Sequence, residues 1–143
     1  DDIEFLISAN PGNPLLPLAK IASGGELSRV MLALKTIFAQ TDDVETLIFD
    51  EIDTGISGKT SQAIANKLQK LSSSHQILLI THQPIIAAVA NTHFHVVKEQ
   101  SENDFSTKVK KLDKEERAKV LSKMLSGDDS GNSMNLAYEL LNR

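Results

Sequence analysis

The 143-residue sequence contains no cysteine, which excludes a disulfide framework and a zinc site built from thiolates. No apolar run approaches the ~20 residues that span a bilayer, and no signal peptide is visible. We therefore expect a cytoplasmic protein with no membrane partner. The net charge of −4 argues against a general attraction of the whole chain to nucleic acid or anionic lipid.

The composition that is present is that of a globular protein. Hydrophobic residues make up 41% of the chain and charged residues 24%, a balance that predicts a packed core rather than disorder. The length fits one domain, residues 1–143. The chain begins at Asp1, without Met, in a segment typical of a strand, so we expect it to be a piece of a longer protein.

The stretch that organises the chain is Thr46–Asp53, a short apolar run that ends in two adjacent carboxylates, Asp50 and Glu51. It lacks helical spacing and predicts a buried strand of a parallel sheet, whose carboxyl end is where open α/β sheets bind ligands. Because neighbours on a strand point to opposite faces, one carboxylate can support hydrated Mg²⁺ while the other accepts a proton from water. A solvated strand end is the alternative.

Alternating strands and helices are predicted along the rest of the chain. A strand, a helix and a strand within ~35 residues form a βαβ unit, so the strands at Thr46 and Gln76 should be parallel. The other predicted elements are a strand at Ile3–Ala9, a loop at Asn10–Lys20, helices starting at Ser23, near Ser57 and at Pro84, a hairpin of His93–Lys98 and Phe105–Lys111 joined by Gln100–Asp104, a helix from Asp113 to Gly127, and a helix at Ser133–Leu141.

Two of these helices carry apolar residues at helical spacing, which indicates a face turned to a core. On the helix after Ser23 the stripe is Leu27, Val30, Met31, Leu34, Ile37 and Phe38. On the next helix the inward residues are Ile64, Ala65, Leu68 and Leu71.

The second informative motif is Ser23-Gly24-Gly25-Glu26. Ser23 and Glu26 have the spacing of a capping box, which would start a helix. Two glycines in the first turn need another reason, because Gly disfavours a helix by ~1 kcal/mol relative to Ala. Bare backbone N–H groups at the positive end of a helix form a surface for phosphate oxygens. Simple capping is the alternative.

The third motif is Thr81-His82, directly after the second apolar strand. An imidazole at that sheet edge could hydrogen-bond a phosphate or an attacking water, although an ordinary loop histidine is the alternative. A metal site at His93 and His95 is weakly supported, since no third ligand is evident nearby.

Gly55–Thr60 resembles a phosphate-binding loop but lacks an essential residue. Such a loop needs Gly four residues before its Gly-Lys-Thr, where this sequence has Asp53. Carboxylates at the preceding strand end would also repel phosphate. We interpret the segment as a turn into the next helix.

The three motifs Ser23–Glu26, Leu47–Glu51 and Thr81-His82, in this order and spacing, resemble the C-terminal lobe of an ABC-type ATPase head. Glu26 is similar to the SMC and double-strand-break repair branch, whereas membrane transporters usually carry Gln there. Ser8–Gly12 and Asp50–Gly58 closely resemble a bacterial DNA repair member of that branch. The likeness covers nearly the whole chain.

The resemblance implies which residues contact the nucleotide. Ser23, Gly24 and Gly25 match the signature motif that binds the γ-phosphate of ATP held by the opposite head of a dimer, and Glu26 completes that motif. Asp53 matches the D-loop, which crosses the dimer interface.

The resemblance also implies which residues act in hydrolysis. Asp50 matches the Walker B aspartate that supports Mg²⁺, usually through water. Glu51 matches the general base and His82 the switch histidine. Arg29 follows the signature motif without an assigned role.

These observations predict an α/β fold, the C-terminal lobe of an ABC/SMC-type ATPase head, with a mainly parallel sheet flanked by helices, a C-terminal hairpin and two helices. The resemblance implies an ATPase that uses ATP and Mg²⁺, partners with the N-terminal lobe of its own chain, forms a homodimer and acts on DNA in the bacterial cytoplasm at the nucleoid. The chain alone should be inactive without a Walker A loop. The alternatives are a transporter's nucleotide-binding subunit and a non-catalytic dimerisation lobe.

Overall fold

A computed structural model describes residues 3–8, 12–21, 23–39, 43–101, 104–127 and 130–142. Their secondary structure is mixed α/β, as the sequence predicts, and the strands form three two-stranded sheets within these ranges. The chain divides into two compact units. The first comprises the described residues of Asp1–Ser57 and Asn66–Thr81, and the second those of Gly58–Ala65 and His82–Arg143.

The first unit contains the motifs Ser23–Glu26 and Thr46–Asp53 complete, on one strand of a parallel pair and on the helix that precedes it. Its elements are β1 (Leu6–Ile7), β2 (Leu16–Pro17), α1 (Leu18–Ile21), α2 (Gly24–Phe38), β3 (Thr46–Phe49), the part of α3 (Lys59–Leu71) from residue 66 onward, and β4 (Gln76–Leu79).

The strands β3 and β4 pair in parallel, from Thr46 opposite Gln76 to Phe49 opposite Leu79, which confirms the βαβ prediction. One face of the pair is buried through Phe49, which is 4% exposed. On the other face Ile48 is 72% exposed. The expectation of a fully buried strand is therefore wrong for the described residues, because a parallel sheet is dry on both faces only where a layer of structure covers each one.

The N-terminal segment differs from its prediction in two ways. The strand β1 is shorter than the predicted Ile3–Ala9, and the last residue of that range lies outside the described residues. The predicted loop Asn10–Lys20 contains β2 and the start of α1. The prolines were misleading because β2 has only two residues and Pro17 stands at its end, a position where a strand tolerates a missing N–H.

The helices α2 and α3 differ in how well their apolar faces were predicted. All four inward residues of α3 are buried, which confirms that face. On α2 the buried large residue is Leu32, outside the predicted stripe, whereas the stripe residues Leu27, Met31, Ile37 and Phe38 are exposed. The sequence of α2 is apolar on more than one side, so its periodicity did not determine which side faces the core.

The second unit is built around a small core of short side chains. Its elements are the first part of α3, α4 (Pro84–Ala88), β5 (Phe94–Ser101), β6 (Asp104–Lys111), α5 (Lys114–Ser126) and α6 (Gly131–Leu141). The core residues are Ala87, Ala88, Ala118, Leu121 and Ala137. Small side chains in the core allow helices to pack closely, and large partly buried residues such as Met124 and Tyr138 close the edges.

The hairpin β5–β6 and the helix α5 have the predicted positions with corrected lengths. The strands extend further than predicted, since Gln100 pairs with Phe105 and Asp104 with Ser101, residues that include part of the predicted loop. The helix α5 has Asp113 as its N-cap and ends at Gly127, whose φ of 81° is the left-handed conformation that favours glycine.

Candidate functional site

Ser23 and Glu26 form the predicted capping box at the start of α2. The Glu26 backbone N–H donates to Ser23 Oγ at 3.3 Å, and the Ser23 backbone N–H donates to Glu26 Oε2 at 2.9 Å. The hydrogen bond from the Ser23 backbone, followed by that from its hydroxyl, lowers the pKa of the Glu26 carboxyl. The Glu26 carboxylate is thus engaged in fixing the helix start, and its assignment to nucleotide binding stays a prediction.

The two glycines of α2 lie against the chain that follows β3. A Cβ added to Gly24 would lie 2.5 Å from Glu51 Oε2, and one added to Gly25 would lie 2.8 Å from the Glu51 backbone oxygen and 3.1 Å from Thr54 Cβ. At Gly25 the neighbour is backbone, so close packing requires glycine there, whereas at Gly24 the neighbour is the end of the flexible Glu51 side chain, which can move aside. Sequence reasoning predicted the glycines as phosphate ligands and missed this contact.

Asp50 and Glu51 follow β3 directly, at its carboxyl end, as predicted, and both are exposed. The Glu51 backbone N–H donates to Asp50 Oδ1 at 2.9 Å, and the Thr54 N–H donates to the Glu51 carbonyl at 3.0 Å. Glu51 has a φ of 57°, which is uncommon for a residue other than glycine, and such strained conformations cluster at active sites and ligand clamps. We call residues 51–54 the Glu51 turn.

The helix α2 is hydrogen-bonded through two polar side chains to this turn and to the residue that precedes it. Ser28 Oγ donates to the Asp50 carbonyl at 2.9 Å. Arg29 Nη1 donates to the carbonyl of Ile52 at 3.2 Å and to that of Thr54 at 3.0 Å. The sequence left Arg29 without a role, and no spacing rule could have supplied these partners more than twenty positions away.

Asp53 is buried, with 2% of its surface exposed, and its carboxylate accepts a hydrogen bond from the Thr81 hydroxyl. The turn is therefore tied to the chain just after β4 as well as to α2. The predicted role of Asp53 at a dimer interface stays a prediction. His82 lies in the second unit, is exposed, and has Nε2 3.5 Å from Gln83 Nε2.

The titratable groups suit a magnesium ion that is held mainly by phosphate and water. Among the described residues, no group of three or more His, Asp or Glu side chains could enclose a metal. Mg²⁺ is usually bound through one or two carboxylates together with substrate phosphates, and the exposed, adjacent Asp50 and Glu51 fit that pattern.

His93, in the second unit, has a perturbed pKa. Burial of the imidazole is the main cause that lowers this pKa, and electrostatic repulsion from Arg117 and then from His95 lowers it further.

No protein-family model matches the sequence, but individual curated proteins do. It is 54% identical over 142 residues to the DNA repair protein RecN of Treponema pallidum, covering 99% of this chain and 25% of that protein. It is 51% identical over 127 residues to RecN of Bacillus subtilis, covering 89% of this chain and 22% of that protein. This chain resembles the C-terminal part of RecN. The chain spans about a quarter of the length of these relatives.

Other comparisons agree with the RecN resemblance. RecN of Streptomyces coelicolor is 45% identical over 142 residues, which is 99% of this chain and 25% of that protein. A solved structure, from work on ATP-driven dimerization and DNA stimulated activation of SMC ATPases, has a TM-score of 0.56 at 23% identity. It covers 88% of this chain and 81% of that chain, which supports the predicted fold of an SMC-type lobe. None of the helices within the described residues is long and apolar enough to span a bilayer.

Proposed function

We propose that the protein containing this chain hydrolyses ATP in a head-to-head dimer and acts in double-strand-break repair and recombination of DNA. The names of the RecN relatives support a role in DNA repair, and the structural neighbour comes from work on ATP-driven dimerization. The observation that carries the proposal is the contact of the Gly24–Gly25 helix start with Glu51, at the carboxyl end of β3.

The start of α2 suits a phosphate group. Aligned peptide dipoles place partial positive charge at a helix N-terminus, and the first N–H groups have no partner within the helix. Gly24 and Gly25 place no side chains of their own over those groups, and Ser23 adds a hydroxyl. In the proposed dimer this surface receives the γ-phosphate of ATP bound to the opposite head.

The two carboxylates divide the remaining work. Asp50 would hold Mg²⁺, through water, and the ion would supply positive charge against the phosphates. Glu51 accepts a proton from the attacking water, and His82 donates a hydrogen bond to the γ-phosphate or to that water. The carboxylate of Asp53 accepts a hydrogen bond from Thr81 and so holds the turn, which would face the opposite head in the dimer.

The chain itself lacks one part that this reaction needs. It contains no G-x-x-x-x-G-K-[ST] sequence, the loop whose backbone N–H groups surround the phosphates of ATP. We assign that loop to an N-terminal lobe that pairs with this one. The 143-residue chain alone should therefore bind ATP weakly and hydrolyse none.

The proposal is tested by Glu51→Gln and Asp50→Asn in the full-length protein. Glu51→Gln keeps the size of the side chain but removes proton acceptance, so turnover should fall by ~10²–10⁴-fold while ATP still binds and ATP-dependent dimers accumulate. Asp50→Asn should impair hydrolysis without that accumulation. Near-normal hydrolysis by Glu51→Gln would remove Glu51 from the role of base.

The cellular part of the proposal has a separate test. In a bacterium lacking the gene, wild-type protein should restore survival after double-strand breaks and collect at the nucleoid in the cytoplasm. The Glu51→Gln protein should locate normally but fail to restore survival. Equal rescue by both proteins would separate ATP hydrolysis from the repair function.

A further inference from the structure

We propose that Arg29 is a positioning residue for hydrolysis, which holds the Glu51 turn against α2 so that Glu51 keeps its place. The inference deepens the proposed function and rests on it, because it concerns the residue assigned as base. Arg29 would touch neither ATP nor water. It acts through the backbone of the turn that begins with Glu51.

The geometry of Arg29 is that of a clamp on two carbonyls. One nitrogen, Nη1, donates to the oxygens of Ile52 and Thr54 at 3.2 and 3.0 Å. These two bonds use both hydrogens of that nitrogen. Hydrogen bonds from a charged donor are stronger than those between neutral groups, and a donor between two carbonyl oxygens that point to one place offsets their mutual repulsion.

The turn needs such a clamp because Glu51 is held in an uncommon conformation. A residue other than glycine at a φ of 57° persists only where its surroundings fix it. The Thr54 N–H bond to the Glu51 carbonyl closes the turn, and Arg29 fixes the carbonyls at residues 52 and 54. Without Arg29 the backbone of Glu51 can relax towards an ordinary conformation.

The same guanidinium also adjoins the glycine start of α2. A Cβ added to Gly25 would lie 3.1 Å from Arg29 Nη1, besides its closer approach to the Glu51 carbonyl. The clamp thus fixes the distance between the helix start and the base. Displacing a catalytic group by ~1 Å can cost 10²-fold in rate, so Arg29 should influence the chemical step more than the binding of ATP.

The second unit contains a matched control. Arg117 Nη2 donates to the carbonyls of Ala88 and Ala90 at 3.2 and 2.7 Å, so it has the same chemistry as the Arg29 clamp. Neither alanine belongs to the proposed site. Replacing Arg117 therefore reports the general cost of losing a two-carbonyl clamp.

The experiment compares Arg29→Met, Arg29→Lys and Arg117→Met in the full-length protein. We expect Arg29→Met to lower kcat by ~10- to 100-fold with KM for ATP within about twofold, since the loss is in orientation. Arg29→Lys, which keeps a charged donor, should recover most of kcat. Arg117→Met should keep kcat within about twofold.

A second readout does not depend on catalysis. Hydrogen exchange in peptides covering residues 50–57 should show the Thr54 amide exchanging ~10-fold faster in Arg29→Met, with no change in Arg117→Met. Unchanged exchange in Arg29→Met overturns the clamp. Wild-type kcat in Arg29→Met, or an equal loss of kcat in Arg117→Met, overturns its positioning role.

The two proposals fail in different ways. If the wild-type protein shows no ATP hydrolysis, or if Glu51→Gln retains it, the proposed function is wrong and the role of Arg29 in hydrolysis is overturned with it. Faster exchange at Thr54 in Arg29→Met would then still identify the residue as a clamp on the turn. If the function holds and exchange is unchanged, only the inference about Arg29 fails.

Discussion

The helices α2 and α5 begin with the same device in the two units of the molecule. Each has a capping box, Ser23 with Glu26 in one and Asp113 with Glu116 in the other, in which the side chain of each residue accepts from the backbone of its partner. The backbone bond to the capping oxygen is 3.3 Å at Ser23 and 2.8 Å at Asp113. The capping hydrogen bond at the start of α5 is therefore the shorter of the two.

What separates the two helices is the turn inside the cap. The first two residues of α5 are Lys114 and Glu115, ordinary exposed helix formers, whereas those of α2 are Gly24 and Gly25. Glycine weakens a helix start unless something approaches it closely, and at α2 that neighbour is Glu51. A capping box therefore identifies where a helix begins, while the close packing of Gly24 and Gly25 against Glu51 distinguishes the α2 start as part of the candidate site.

Among changes to the two helix starts, the largest effect should come from filling the space over the start of α2. Ser23→Arg in the full-length protein should reduce ATP-dependent dimerisation and hydrolysis by ~10²-fold or more while sparing ATP binding by a single head, because the bulky cation occupies the phosphate approach. The measurements are light scattering with ATP, ATPase rate and nucleotide affinity.

The control for that change is Ser130→Arg at the N-cap of α6, which is also followed by a glycine, Gly131. It should leave ATP-dependent dimerisation unchanged. A loss of single-head ATP affinity equal to the loss of dimerisation would argue against a contact with the opposite head.

Gly25→Ala should have the next largest effect, on stability. At an ordinary helix position the change would stabilise by up to ~1 kcal/mol, but here the Cβ overlaps the Glu51 carbonyl, so we expect a loss of about 1–3 kcal/mol. Glu115→Ala, at the corresponding place in α5, should change stability by less than ~0.5 kcal/mol. Urea unfolding midpoints measure both, and a stabilised Gly25→Ala would show that the close approach is not real.

Removing each cap should give smaller losses in a fixed order. Asp113→Ala should lower the free energy of unfolding by about 1–2 kcal/mol, because the capping bond of Asp113 is short and its negative charge lies at the positive end of the helix dipole. Ser23→Ala should lower it by about 0.5–1 kcal/mol. Thermal unfolding of both variants provides the comparison. The reverse order would mean that Ser23 has stabilising contacts beyond its capping bonds.

The smallest effect concerns the acidic members of the two boxes. The pKa of Glu116 is lowered first by its hydrogen bond from Lys110 and then by that from the Asp113 backbone, whereas the pKa of Glu26 is lowered first by the Ser23 backbone. Since both pKa values are below those of the unfolded chain, each carboxylate stabilises the fold at neutral pH, and that contribution is lost as the pH falls through the folded pKa.

An NMR titration distinguishes the two carboxyls. Lys110→Met, or about 1 M salt, should raise the pKa of Glu116 towards its ordinary value and change that of Glu26 little. Equal responses would mean that both shifts come from the overall charge of the protein rather than from their separate partners.

Local sequence patterns were sufficient for the elements that local contacts build. The caps of α5 at Asp113 and Gly127, the inward face of α3 and the apolar strands β3 and β4 all follow from spacing over a few residues. The parallel pairing followed from the length of the connection alone.

Contacts between distant positions were beyond such patterns. Arg29 with Thr54, and Asp53 with Thr81, join residues 25 and 28 positions apart, and no periodicity marks them. The sequence also failed to predict that Ile48 is exposed, because the burial of a strand residue depends on which other elements cover that face of the sheet. The carboxylates Asp50 and Glu51 could be placed at a strand end from sequence, but not the contact of Glu51 with the glycines.

The register of the strands has a consequence for the order of folding. In the hairpin, Ser101 faces Asp104, three positions away, and such a hairpin closes in ~1–10 μs. The pair β3–β4 joins Thr46 to Gln76, so a loop of 30 residues must close before it forms. We expect the second unit to acquire structure early during refolding. The Glu51 turn, which needs β3, β4 and α2 together, should be among the last parts of the molecule to assemble.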